Sequence, residues 1–298
     1  MTESANSTAS VPTGDQAALL ALRAEIDALD DRLHDLLMER ARIIERVKRD
    51  GGKRGVMIRP GREARMLRRL LARHQGALPA PTIIRIWREL FTGALTIEGG
   101  LTIAVDDKNE DLAAVAREHF GPLVPLRKHR SAAGALNDLT NGTAQAAVMP
   151  IPSEADEDTA AWWTGLMHGG APRLQIIAKL PFWGRRSDGL PSAPAYVVAP
   201  ILLDESGDDH GLIGIETPSD TSLARMTAAL KEAGFEVIAV TSRRGDRAAP
   251  CYALAEVNGL IALDDPRVAA LSATFRAPAM VLGGFALPIT DQPVEMGR

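Results

Sequence analysis

Cysteine is almost absent: the chain of 298 residues has one, Cys251. A single thiol excludes an internal disulfide and fits a reducing, cytoplasmic setting. In a strand-like context with no base nearby in sequence, it reads as a packed side chain. Long apolar runs are missing too; none reaches the roughly 18 residues that a helix needs to span a bilayer. The opening stretch, MTESANSTASVPTG, has no basic n-region and no apolar h-region. It is expected to be a disordered tail over residues 1–14 and no secretory signal. Net charge is only -4, which argues against a general nucleic-acid or membrane-surface binder. The histidines, His34, His74, His119, His129, His168 and His210, show no metal-ligand spacing.

The length suggests two or three domains, and a hydrophobic content of 46% is enough for sizeable cores. Basic residues cluster between Arg40 and Arg88. From Gln16 to Gly99 the pattern predicts three helices. In the first, Leu19, Leu22, Ile26, Leu29, Leu33, Leu36, Ile43 and Val47 recur at three- and four-residue steps. Arg23 lies four residues after Leu19 and three before Ile26. Arg40 has the same relation to Leu36 and Ile43. A guanidinium on an apolar stripe is costly unless an anion or acceptor meets it, so a bundle lined with such cations suits a small dianion. The first helix should run from near Asp15 to the Gly51-Gly52 pair. That is too long for two short helices to cover, and a dimer sharing it is the simplest remedy. Pro60 should open the second helix, with Arg62 and Glu63 in its first turn. Pro81 should open the third, whose stripe (Ile83, Ile84, Trp87, Leu90, Phe91, Ala94, Leu95) ends at Glu98, before Gly99-Gly100.

Beyond Gly100, strands and helices alternate. LTIAV, QAAVMPIP, RLQIIAKLPF and AYVVAPIL read as strands, and residues 111–120 and 131–141 as helices, giving a small α/β unit of parallel type. LDESGDDHG, from Leu203, reads as a linker. After it comes strand, helix, strand, strand, helix, strand, the βαββαβ order of a ferredoxin-like unit. Trp162-Trp163 is expected in a core or a subunit contact, and Gly283-Gly284 in a turn or bulge of the last strand.

The runs LLALRAEIDALDDRLHDLLMERARIIERV, RPGREARMLRRL and RIWRELFTGALTIE together resemble the all-helical chorismate mutases, over roughly Ala18 to Glu98. The resemblance implies an intertwined helical homodimer that converts chorismate to prephenate with no cofactor and no metal. The substrate is a dicarboxylate whose ether oxygen gains charge as the C–O bond breaks. Fixed cations favour the reactive conformer, and donors at that oxygen stabilise the transition state. By position, Arg23 matches the arginine that reaches into the partner's site and Arg40 the one that grips a substrate carboxylate. Arg62 and Glu63 match an Arg-Glu pair in which the glutamate accepts the substrate hydroxyl. Glu98 falls where many members carry a glutamine that donates to the ether oxygen; a glutamate must be protonated to do so. The family's catalytic lysine would fall on Gly51. Lys48, about a turn early, or Lys53, beyond the glycines, is expected to replace it, with Lys53 favoured. Arg59 stands where some members have an aspartate and joins the expected substrate-binding set.

The remainder resembles the bifunctional mutase–dehydratase proteins in order. LTIAV and QAAVMPIPSE look like the opening of a prephenate dehydratase domain. The tail, with SLARM and TSRRGD, looks like an ACT-type regulatory domain that binds phenylalanine. The dehydratase Thr-Arg-Phe motif is replaced by Pro194, Ala195 and Tyr196, which implies a non-dehydrating remnant. Expected effector contacts are Ser222, Leu223, Ser242 and Arg243. The expected layout is therefore multidomain: a helical mutase domain (15–100), an α/β remnant (101–203) and an ACT-like α+β domain (211–298). Alternatives are a working bifunctional mutase–dehydratase and a non-enzymatic regulator that binds an aromatic amino acid.

Overall fold

The computed structural model describes residues 14–50, 58–106, 110–153, 161–184, 189–244 and 250–289. The expected tail, apart from Gly14, lies outside them. The chain divides after Arg54 into two units, taken here in turn.

The first holds one helix, α1 (Gly14–Asp50), of 37 residues, about 55 Å long at 1.5 Å per residue. Asp15 in its first turn and Lys48 and Arg49 in its last match the helix dipole. Its apolar stripe is open: Leu22, Ile26, Leu33, Leu36 and Val47 are all more than half exposed.

The second unit opens with a helical hairpin, α2 (Pro60–Ala72) and α3 (Ala80–Glu98). Pro60 takes the first helical position of α2, where its missing N–H costs nothing. Gly100, at a φ of +89°, ends α3 by donating to the Leu95 carbonyl, a backbone turn that favours glycine. The elements that follow are β1 (Ile103–Asp106), α4 (Glu110–Phe120), β2 (Leu126–His129), α5 (Ala132–Thr140), β3 (Ala146–Pro150), α6 (Thr164–His168), β4 (Gln175–Leu180) and β5 (Ala195–Ala199). The last are β6 (Asp209–Thr217), α7 (Leu223–Glu232), β7 (Val237–Arg244), β8 (Cys251–Asn258), α8 (Pro266–Phe275) and β9 (Ala279–Ala286).

The nine strands among the described residues form one sheet, ordered β2-β1-β3-β5-β4-β9-β6-β8-β7. Strands β1, β2 and β3 are parallel, but β5 runs antiparallel to both β3 and β4. The α/β part is thus mixed where a parallel unit was expected, because the chain turns back after β4 and inserts β5 between β3 and β4. The two halves of the sheet meet where Ile176 of β4 pairs with Gly283 of β9. Gly283 has a φ of +132°, and a Cβ there would overlap the Ile176 backbone. The β6–β9 register shifts beside it, between Leu212 and Ile213, so the glycine pair does sit at a bulge.

Three cores result. On one face α2, α3 and α4 pack on β1, β3, β4 and β5 through Leu67, Leu71, Phe91, Leu95, Val105, Val148, Ile177 and Val197. The opposite face is covered by α5, Trp162, Trp163 and Met167. Helices α7 and α8 cover β6 and β8 through Met226, Leu230, Val268 and Leu271. Cys251 is buried at the start of β8. No helix among the described residues is long and apolar enough to cross a membrane.

Candidate functional site

On α1, Arg23 is exposed and Arg40 half-buried. Lys48 is exposed in the last turn. Lys53 lies outside the described residues. The remaining expected mutase residues belong to the hairpin.

Helix α2 is amphipathic with a narrow apolar face: Gly61, Ala64, Leu67 and Leu71 are buried. Its basic residues grip the segment before β6. Arg59 precedes Pro60, and its Nη2 lies 3.2 Å from Asp204 Oδ2. Arg65 donates to the Glu205 carbonyl, and Arg68 donates to Ser206, Asp208 and Leu287. Ser206 and Asp209 are buried and bonded to each other. A Cβ on Gly61 would overlap the Asp204 carbonyl. The expected linker is therefore a clamp on α2.

Arg62 is exposed on α2. Its neighbour Glu63 turns toward α3, where its Oε2 accepts a 2.8 Å bond from Nη1 of Arg88. Arg88 is buried. Its guanidinium lies over the Phe182 ring at 4.9 Å from the centroid and 5.8 Å from that of Phe91. Nη1 also approaches His119 Nε2 at 3.3 Å. An arginine can only donate, so that imidazole nitrogen carries no proton in this contact. Burial pushes the Glu63 carboxyl up, and Arg88 opposes the shift. Burial likewise pulls Arg88 down against the pull of Glu63. His119 is held well below its usual value by burial and then by the Arg88 charge.

Glu98 is the last residue of α3 and half-buried. Of the expected set, the structure puts Arg59, Arg62 and Glu63 together on the first turn of α2. Sequence reading missed Arg88, although it carries the signal that marked Arg23 and Arg40: it lies four residues after Ile84 and three before Phe91.

Among the expected effector contacts, Ser222 caps α7 by accepting from the Arg225 amide, and Leu223 is 39% exposed. Ser242 and Arg243 lie half-buried on β7, opposite Ala253 and Tyr252. Where the dehydratase motif would fall, Ala195 and Tyr196 are buried in β5, and Tyr196 packs on Phe285. A further charged cluster pins Asp138 of α5 between Arg127 (2.6 Å), His129 (2.5 Å) and Thr143 (2.8 Å). The Arg127 bond in particular holds its carboxyl far below the usual range. A surface cavity of about 230 Å³ lies between α5 and the end of α6, lined by Leu136, Asn137, Leu166, Pro172 and Arg173. Among the described residues, no group of three or more His, Cys, Asp or Glu could hold a metal.

Residues 22–99 match chorismate mutase type II. That span contains Arg23, Arg40, Arg62, Glu63 and Glu98. The N-terminal region thus carries a chorismate mutase domain. The chain is also homologous to the bifunctional chorismate mutase/prephenate dehydratase of Pseudomonas aeruginosa. They are 30% identical over 48% of this chain and 41% of that one. The match with the Neisseria gonorrhoeae protein of the same description is 34% identical, over 35% and 28%. The matched part thus spans about two fifths or less of these curated relatives. Among solved structures, the quorum-quenching acylase GqqA aligns at a TM-score of 0.46 and 14% identity, over 66% of this chain and 98% of that one. The Streptococcus mutans prephenate dehydratase aligns at 0.44 and 12%, over 63% and 98%.

Proposed function

We propose that the protein is a chorismate mutase that rearranges chorismate to prephenate with no cofactor. The observation that carries this reading is the family match over residues 22–99, which takes in the whole set of arginines and carboxylates read from the sequence. In the proposed site, Arg23 and Arg40 hold the two substrate carboxylates, with Arg59 and Arg62 adding positive field. Glu63 accepts the substrate hydroxyl. A protonated Glu98, with Lys53 or Lys48, donates to the ether oxygen as it gains charge. The reaction is an internal rearrangement, so no step calls for a base or a nucleophile.

The site is completed by a second copy of the chain. The open stripe of α1 supports this, because a lone helix of that length with an exposed apolar face is poorly stable in water. Arg23 of each chain then serves its partner's site. The C-terminal βαββαβ segment, with strand order β9-β6-β8-β7, supports an ACT-like reading, with Ser222, Leu223, Ser242 and Arg243 as contacts for an aromatic amino acid. The α/β region has no dehydratase activity, since its equivalent of the Thr-Arg-Phe motif is Pro194, Ala195 and Tyr196. The single cysteine supports a cytoplasmic reading.

The test is direct: the purified full chain is given chorismate and the loss of its absorbance is followed, with prephenate identified as product. Saturable turnover is expected. No turnover, together with saturable binding of phenylalanine, would favour a non-enzymatic regulator instead.

A further inference from the structure

Glu63 can accept a substrate hydroxyl only as a carboxylate held at a fixed angle. It sits on the border between two faces of α2. Leu67, one turn on, belongs to the buried face, whereas Met66 and Leu70 are half-buried. Its orientation therefore depends on what grips it from the core side, and that is Arg88. The grip is itself built partly from outside the matched helices. Phe182, in the segment after β4, presents its ring to the guanidinium, and His119, at the end of α4, accepts from it.

We infer that Arg88 is a positioning residue for Glu63, and that the α/β region, through Phe182 and His119, fixes Arg88 for that task. The inference rests on the mutase reading given above. An aromatic face limits the plane of the guanidinium, and its rigid fork limits where the paired carboxylate oxygen can lie. Turning Glu63 away would leave a buried cation without its partner, a costly state. A carboxylate has about four lone-pair sites, so the bond to Arg88 leaves room for a substrate hydroxyl.

The charges around Glu63 fix the sign of the pH effect. Burial and Asp204 favour the protonated acid; Arg88 and the Arg59 backbone amide favour the carboxylate. His119, neutral, adds no charge. Without Arg88 the carboxyl takes up its proton at a higher pH, and turnover that needs the carboxylate is lost at a higher pH as well.

The experiment measures kcat and KM of the full chain on chorismate from pH 5 to 9, with circular dichroism as a check on folding. The proteins are the wild type, Arg88→Lys, Arg88→Gln, Phe182→Leu, Glu63→Gln and the Glu63→Gln/Arg88→Gln double variant. Arg88→Lys keeps the charge but loses the fork; kcat should fall about tenfold to a hundredfold, with KM changed less. Arg88→Gln should also move the acid limb of kcat to higher pH. Phe182→Leu should show a smaller fall in kcat. The double variant replaces the ion pair by two amides and should be no slower than Glu63→Gln alone, because the group to be positioned is gone. If Arg88→Gln does not fold, Arg88→Lys and the double variant carry the test. An Arg88→Lys protein with wild-type kcat and acid limb, or a double variant slower than Glu63→Gln by the factor seen for Arg88→Lys, would overturn the inference alone. A wild-type chain that leaves chorismate unchanged would overturn the mutase reading and this inference with it.

Discussion

The two helical parts of the mutase-like segment meet opposite fates. Helix α1 leaves its apolar stripe open, with Leu36 61% and Val47 62% exposed. The α2–α3 hairpin buries its own, with Leu67 fully covered and Phe91 at 7%. One part forms a unit by itself; the other is built into the α/β region's core. The lesson is that a single family match can span two mechanical units. On the proposed reading, half of the site calls for a second copy, and the other half rests on the hairpin that packs against the sheet.

The sharpest way to break this contrast is to cut after residue 100. The truncated chain keeps every residue of the family match but exposes Leu67, Leu71, Phe91 and Leu95, each worth about 1.5–3 kcal/mol when buried. It should lose most of its helical circular dichroism and all turnover. A truncated protein with full activity would mean that the hairpin does not need the sheet. Next in size, Leu29→Glu with Leu33→Glu on α1 should give a monomer in sedimentation and lower turnover at least a hundredfold, about the scale of losing a positioned charge. The thermal transition of the sheet should be unmoved.

A smaller effect is expected from Arg68→Ala, which removes the bonds to Ser206, Asp208 and Leu287. It should destabilise the hairpin by about 1–3 kcal/mol and speed amide exchange in α2, leaving α1 unchanged. Glu98→Gln should alter the maximal rate least. A glutamine also donates to the ether oxygen, whereas Glu98→Leu donates nothing and should lose most turnover. A Glu98→Leu protein with wild-type turnover would remove Glu98 from the donor role. Asp138, in the second unit, offers a control. Its carboxyl is depressed by Arg127, so its contribution to stability is present above the usual carboxylate range and is lost as pH falls below it. Asp138→Asn should melt lower than the wild type at pH 7 and lose less between pH 5 and 3.

Much of this layout is legible in the sequence, and the exceptions have physical causes. Helix ends were marked by local chemistry: Pro60 at the start of α2 and Gly100 after α3 act through backbone geometry alone. The direction of β5 was not legible, because antiparallel pairing with β3 depends on a return path rather than on the AYVVA pattern. Strand β2 was missed because LRKH shows half-exposed ends and exposed charges in place of alternation. The polarity of the stretch from Leu203 predicts a linker, yet Ser206 and Asp209 are buried because α2 and their own side chains satisfy them. Arg88 is legible by its spacing from Ile84 and Phe91. Spacing marks a buried cation; it does not say which acid will meet it.

The central claim, a site shared between two chains, is tested most directly by mixing two inactive variants. Arg23→Ala and Arg40→Ala are purified separately, unfolded together and refolded, and turnover of chorismate is measured. If Arg23 serves the partner's site, each mixed dimer has one intact site and one doubly broken site, and random pairing should restore about a quarter of wild-type activity. A mixture as inactive as its two components would contradict the account.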